Sequence, residues 1–198
     1  MSDDFYSTRG MVMDGRLLEK RSKILDDFLH EHGLAEPKSV EYNPLRGSLL
    51  GWCFRNVTTH VSIAGGKMET GWVFFELVGV SMKTIAHAIW VTPQGRRMDI
   101  TPWEFQLERR ILFLPDDRVA AKRAYSAGYQ TIYATDTRVV SMLKFEHEID
   151  RIFESVCTGV DGVAHIPDAR FVEAAEKTGV PQDVAREVVR YRMSKGGH

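Results

Sequence analysis

Apolar residues recur at helical spacing in the first third of the chain, and this pattern predicts two helices. In residues 15–32 they form one stripe, which Asp14 can cap and Gly33 can end. A shorter stripe in residues 52–64 stops at a pair of glycines. The intervening residues 36–47 contain two prolines and are predicted to form a connecting loop.

The period then changes to that of β-strands. Residues 72–78, 83–91 and 96–101 are rich in aromatic and β-branched side chains, and residues 111–114 are a candidate fourth strand. Turns that contain glycine or proline separate the first three segments. The pattern therefore predicts a small antiparallel sheet of three to four strands.

Helical spacing returns in the last part of the chain. One helix is predicted over residues 118–127, and a longer one over residues 136–156. The tail, residues 167–195, indicates two short helices parted by Gly179 and Pro181. The predicted fold class is α+β, with N-terminal helices, a small antiparallel sheet and C-terminal helices.

Length and composition set the remaining bounds. The 198 residues suit one core domain, residues 1–160, followed by a helical hairpin appendage, residues 161–198. The net charge of -1 gives no general attraction to nucleic acid or to an acidic membrane. Neither a membrane-spanning apolar run nor a signal peptide is predicted. Two cysteines make no disulfide framework, so we expect a reducing cytoplasm, and the oligomeric state stays open.

Three residues carry the candidate chemistry. Cys53 lies at a predicted helix start, and His87 and Asp99 follow on predicted strands. The first amides of a helix favour a thiolate and can bind the oxyanion formed when it attacks a carbonyl. We expect Cys53 to be the nucleophile, His87 the general base and acid, and Asp99 the group that orients His87. The Cys53 amide and Asn56 are the expected oxyanion donors.

Short motifs around these residues resemble a known family. His87 begins His-Ala-Ile-Trp-Val and Asp99 begins Asp-Ile-Thr-Pro, an order that resembles the transglutaminase-like branch of the papain-like cysteine hydrolase superfamily. Residues 51–102 also resemble small uncharacterised prokaryotic and phage-borne proteins that share Cys-x-x-Asn, Gly-Trp, His-Ala-x-Trp and Asp-x-Thr-Pro. Such relatives often have a histidine directly after the cysteine, where this chain has Phe54. The resemblance implies a papain/transglutaminase-like core that attacks a peptide or carboxamide bond of a peptide or protein substrate, without a cofactor.

The predicted hairpin raises a question about the third member of the set. If the chain turns at residues 94–95, Asp99 lies three or four places nearer the turn than the residue opposite His87. That offset is roughly 10 Å or more along the strand. Asn56, one helical turn past the cysteine, and Glu76, on the preceding strand, are the alternative third members.

Four tryptophans lie near the predicted site in the sequence. Their indole rings either pack in the core or wall a substrate groove, and the groove candidates are Trp52, Trp72 and Trp90. Trp103 is the fourth ring.

A zinc site is a further alternative on the same helix. Cys53, Asn56 and His60 share one face there, and His87 could complete the set. The chain has neither Cys-x-x-Cys nor His-x-x-x-His spacing, and asparagine is a poor zinc ligand, so no metal is predicted.

The C-terminal residues offer a different class of function. Residues 175–192 resemble a helix-turn-helix around Gly179, and Arg186, Arg190 and Arg192 could contact phosphates. However, six acidic residues balance six basic ones from residue 161 to the end. The alternative to an enzyme is therefore a non-catalytic binding or regulatory protein that contacts DNA or a protein partner through this hairpin.

Overall fold

The computed structural model describes residues 15–104, 107–122, 126–156 and 166–195, and side chains as far as residue 190. Six helices and seven strands lie in these ranges. The helices are α1 (Lys23–Glu31), α2 (Cys53–Ala64), α3 (Arg118–Lys122), α4 (Thr137–Val156), α5 (Asp168–Thr178) and α6 (Gln182–Lys195). The strands are β1 (Gly15–Leu17), β2 (Lys38–Tyr42), β3 (Lys67–Leu77), β4 (Ser81–Val91), β5 (Arg97–Asp99), β6 (Arg110–Pro115) and β7 (Gln130–Ile132). The α+β class predicted from the sequence is confirmed.

The sheet is larger than predicted and closes on itself. Strands β3, β6, β2, β5 and β4 pair in that order, and β4 pairs again with β3, which makes a five-stranded barrel. Strand β1 adds to β3 and strand β7 adds to β4. The prediction of a small antiparallel sheet was wrong in this respect, and the β2–β5 pair is parallel. Closure leaves fewer free strand edges than an open sheet would have.

A long hairpin organises the barrel. Strands β3 and β4 pair from Lys67 opposite Val91 to Leu77 opposite Ser81. Strand β6 then approaches β3 very closely at Gly71, where an added Cβ would lie 2.1 Å from the carbonyl oxygen of Leu114. Glycine is therefore required there, and this explains the glycine of the Gly-Trp motif.

The N-terminal part differs from its predicted form because short strands have a weak sequence signal. The predicted helix over residues 15–32 is split into β1 and α1. Leu17 pairs with Phe75 on β3, and Ser22 caps α1 by accepting a hydrogen bond from the Leu25 amide at 3.2 Å. Strand β2, which has one buried apolar residue, Val40, runs through the predicted loop.

The strands have two apolar faces. An inner cluster inside the barrel consists of Leu17, Val40, Val73, Ile89, Ile111 and Phe113. An outer cluster joins the other face of the strands to α1 and α2, and it includes Phe28, Val57, Trp72, Phe74 and Ala88. Because successive side chains of a strand point to opposite faces, β3, β4 and β6 each contribute to both clusters.

The last three helices have a core of their own. Their helical cluster comprises Phe145, Ile149, Ile152, Ile166, Phe171, Ala174, Ala175, Val180, Val184, Ala185 and Val189. Helices α5 and α6 match the predicted pair, and Gly179 ends α5 in the left-handed conformation with φ of 74°. Helix α4 packs with this pair through the shared cluster. The predicted division at residue 160 falls between 157 and 165, outside the described residues, and stays a prediction.

Candidate functional site

The N-terminus of α2 positions Cys53. Gly51 precedes it with φ of 73°, and its amide donates a hydrogen bond to the Pro102 carbonyl at 3.3 Å. Trp52 is the N-cap residue and makes no side-chain cap hydrogen bond to the first turn. The opening amides of α2 are thus left to act on a negative charge at the helix start, which is where Cys53 lies.

Strand β4 brings His87 to the inner face of the barrel. Ile89 belongs to the inner cluster and Ile85 packs against it, so His87, which lies between them on the same face, points inward. Ala86 and Ala88 face the outer cluster. On its edge away from β3, strand β4 pairs with β5 at residues 90–91 and with β7 at residues 81–83. Within the described residues, this leaves the edge beside His87 open, and α2 packs against β4.

Asp99 ends strand β5 and lies beside the imidazole. Its Oδ1 is 3.0 Å from His87 Nε2. The ring N–H is not aimed at that oxygen, so the contact is an ion pair rather than an aligned hydrogen bond. The Asp99 carboxylate also accepts hydrogen bonds from the Thr101 amide at 3.1 Å and from Trp103 Nε1 at 2.8 Å. Three contacts hold it in place.

The expected 10 Å offset between Asp99 and His87 was wrong. The ladder pairs Trp90 with Met98 and Val91 with Arg97, so Asp99 falls opposite Ile89. His87 is two residues from Ile89 on the same face, which makes it a diagonal neighbour of Asp99. The predicted turn had placed His87 opposite a residue one or two positions too far along the second strand.

The electrostatics of the site centre on the imidazole. Complete burial opposes charge on His87, but the carboxylate of Asp99 and the sulfur of Cys53 favour it more strongly and raise its pKa to about 10. Both effects require the carboxylate and the sulfur to lie close to the imidazole. The fold therefore brings the three sequence-predicted residues into one set, with an imidazolium favoured beside the Cys53 sulfur and the Asp99 carboxylate.

The site is closed to solvent in this conformation. The exposed fractions are 5% for Cys53, 1% for His87 and 0% for Asp99. Residues 43–45 continue the parallel pairing of β2 with β5, through hydrogen bonds from Asn43 to the Asp99 carbonyl and from Leu45 to the Ile100 carbonyl. Attack on an external molecule therefore requires a movement that uncovers the sulfur.

The two alternative third members have other partners. Asn56 accepts a hydrogen bond from the Leu49 amide at 2.9 Å and donates to the Leu49 carbonyl at 2.8 Å and to Thr101 Oγ1 at 3.2 Å. Its amide hydrogens are both in use, so the expectation that it donates to an oxyanion is not supported. Glu76 lies five residues along β3 from the partner of His87 and binds Arg16 at 2.8 Å.

The tryptophans divide between core and site. Trp72 is buried in the outer cluster and donates to Asp116 at 2.7 Å, which agrees with core packing, the other role considered for these rings. Trp90 bonds to the Gly65 carbonyl at 2.9 Å, and Trp52 contacts the Arg55 guanidinium. Sequence reasoning missed the role of Trp103, whose ring centroid lies 4.8 Å from that of His87. Its position four residues after Asp99 was the available signal.

Metal binding finds little support in the part of the chain that the structure describes. No group of three or more His, Cys, Asp or Glu side chains there has the arrangement of a metal site. His60 packs against the Trp90 ring, with the centroids 4.3 Å apart.

The C-terminal arginines form an exposed pair on α6. Arg186 and Arg190 lie at the rim of a cavity of about 370 Å³ between α5 and α6, whose floor includes Phe171, Ala175 and Val189. The Arg192 side chain and all of Cys157 lie outside the described residues.

Comparison with known proteins finds no matching family model, no matching curated protein and no matching solved structure. Among the described helices, none is both long and apolar enough to cross a bilayer. The site geometry therefore carries the functional argument.

Proposed function

We propose that the protein is a cysteine-dependent hydrolase or acyl transferase that acts on a peptide or carboxamide bond. The observation that carries this proposal is the buried set in which His87 lies 3.0 Å from Asp99 and close enough to Cys53 for the sulfur to raise the pKa of the imidazole. Burying two ionisable groups is costly, and such groups are concentrated at functional sites. The resemblance of residues 51–102 to the transglutaminase-like branch supports the same chemistry.

The reaction has two steps. The first step starts from the imidazolium–thiolate pair, in which His87 carries the proton of Cys53. The thiolate forms a thioester bond with the substrate carbonyl, the carbon–nitrogen bond breaks, and His87 gives its proton to the leaving amine. Water or a second amine then attacks the thioester and loses a proton to His87, and the carbon–sulfur bond breaks, which restores the imidazolium–thiolate pair. The Cys53 backbone amide stabilises both tetrahedral oxyanions. Asp99 holds the imidazole and stabilises its charged form.

Trapping of the acyl-enzyme tests the proposal. Incubation with p-nitrophenyl acetate should add one acetyl group to Cys53, detected by intact mass and peptide mapping, and release p-nitrophenol beyond one equivalent. Cys53→Ala should abolish both signals with the fold intact, whereas Cys157→Ala should change neither. Acetylation spread over surface lysines, with Cys53 unmodified, would contradict the proposal.

A non-catalytic binding protein is the second candidate, and the closure of the site favours it. A sulfur with 5% exposure could serve packing alone. In that case Cys53→Ala would lower the melting temperature and leave every binding or catalytic property unchanged. Contact with DNA through Arg186 and Arg190 belongs to this alternative, and salt-sensitive retention on DNA that is lost in the double alanine variant would support it.

The proposed chemistry favours a reducing compartment. Cys53 is a free thiol, and the proposed reaction requires it reduced. We therefore place the activity in a reducing cytoplasm, where free thiols persist.

A further inference from the structure

A groove runs along the outer side of α2, next to the proposed site. The loop of residues 45–49 forms one wall and α2 forms the other, around a cavity of about 430 Å³. Its lining includes Arg46, Leu49, Arg55, Asn56, His60 and Ile63. Asn56 lies one helical turn from Cys53 and bonds both to Leu49 and to Thr101, two residues past Asp99. The groove thus shares a wall with the site.

Exposed apolar side chains gather at this groove. Ile63 has an exposed fraction of 78% and Leu49 of 44%, and the adjacent Leu50 reaches 49%. Aliphatic side chains this exposed, grouped beside a concave surface, mark a place where a partner covers them.

The charge of the groove has one sign. The lining contributes the guanidinium groups of Arg46 and Arg55 and no carboxylate. Arg55 contacts the Trp52 ring, and neither arginine has a carboxylate partner within the described residues. The sequence from residue 42 to residue 68 contains neither Asp nor Glu. The two guanidinium groups therefore attract an anionic ligand, and no carboxylate of the groove lining competes for them.

Its length suits a short extended segment. The lining residues of α2 run from Arg55 to Ile63, a span of nine residues and about 12 Å of helix axis. An extended peptide covers that distance with about four residues at roughly 3.3 Å each.

We propose that this groove binds the substrate of Cys53, and that the substrate is a peptide segment with a carboxylate beside an aliphatic side chain. The carboxylate pairs with Arg46 and Arg55, and the aliphatic group covers Leu49 and Ile63. Bound there, the segment lies against the loop that closes the site. This assignment of a substrate class rests on the proposed function.

Peptide binding to the Cys53→Ala protein tests the groove without turnover. The probes are fluorescein-labelled hexapeptides with a central Glu-Leu, Gln-Leu, Lys-Leu or Glu-Ser pair, followed by fluorescence anisotropy. We expect Glu-Leu to bind at least tenfold more tightly than Lys-Leu, with an affinity that falls as salt rises. Arg46→Glu with Arg55→Glu should remove that preference, and Ile63→Ser should weaken Glu-Leu binding severalfold at an unchanged melting temperature.

The exposed pair on α6 gives the matched control. Arg186→Glu with Arg190→Glu makes the same change of net charge away from the groove, and Glu-Leu binding should stay as it was. Equal binding of Glu-Leu and Lys-Leu, an equal loss in both arginine double variants, or no binding at all would overturn the proposal. Selective binding without acetylation of Cys53 by p-nitrophenyl acetate would instead count against the proposed enzyme, so the two failures are distinguishable.

Discussion

The barrel with its site and the three C-terminal helices bury different kinds of residue. The buried polar and charged residues of the described chain all lie between positions 56 and 126, and they include Glu76, His87 and Asp99. Every buried residue of α4, α5 and α6 is apolar. Burial of an ionisable group costs free energy unless it is paired, whereas apolar burial stabilises directly. The described interior of the helices is therefore stabilised by apolar packing, and the barrel carries a desolvation cost that the proposed function would explain.

The largest expected effect comes from removing one partner of the buried ion pair. Asp99→Ala leaves His87 buried without its carboxylate, and it should lower the free energy of unfolding by about 3–5 kcal/mol. Denaturant unfolding measures this. Asp136→Ala, at the exposed start of α4, is the matched control and should cost much less. A loss for Asp99→Ala no larger than for Asp136→Ala would remove the distinction between the two regions.

The clamp between loop and helix should have the next largest effect. Asn56→Ala removes three hydrogen bonds, two of them to Leu49, and should lower the free energy of unfolding by about 2 kcal/mol. If the loop of residues 45–49 covers the Cys53 sulfur, its release should make alkylation of Cys53 faster. Thr59→Ala, exposed on the same helix, should change neither quantity. Slower alkylation in Asn56→Ala would contradict the covering role of the loop.

The pH dependence of stability should come from the barrel. The pKa of His87 rises from 6.5 to about 10 on folding, so the folded protein holds a proton that the unfolded chain releases between these values. Its stabilisation is complete below about pH 6.5 and is lost as the pH rises toward about 10. The denaturant midpoint of unfolding should fall as the pH rises through this range in the native protein. In His87→Gln the midpoint should depend much less on pH. An equal slope in both would show that other groups are responsible.

The smallest effect is expected in the helical cluster. Ile149→Val removes one buried methylene and should cost about 1 kcal/mol. The loss should not vary with pH, and Cys53 alkylation should stay unchanged, since Ile149 belongs to a separate cluster. A changed alkylation rate would show that the helices and the site are coupled.

Sequence patterns predicted the parts of the fold that are local. Helices α2 and α4 and the β3–β4 hairpin have long periodic signals. Both helices lie within one residue of their predicted bounds, whereas β3 begins five residues before its predicted start. Strands β1, β2 and β7 were not predicted. Each has only three to five residues with one or no buried apolar side chain, and such a short segment shows no alternation that could be recognised. Closure of the barrel depends on β2, so it could not be predicted without that strand.

The same division holds for the site. Residue type and order alone pointed to Cys53, His87 and Asp99, but their proximity depended on the register of β4 and β5. A register shift of one or two residues would have separated His87 from Asp99, and no local sequence signal determines that register. Trp103 was missed because its contact with Asp99 arises only after the chain turns away from β5. The loop that Asn56 holds through Leu49 has no periodic pattern in the sequence.

The alkylation rate of Cys53 tests the central claim most directly. Iodoacetamide labelling at neutral pH, followed at Cys53 and Cys157 by peptide mass spectrometry, compares the two thiols in one sample. We predict that Cys53 reacts faster despite its burial, and that His87→Gln slows it about tenfold or more while Cys157 keeps its rate. Equally slow labelling of both thiols, unaffected by His87→Gln, would contradict an activated cysteine.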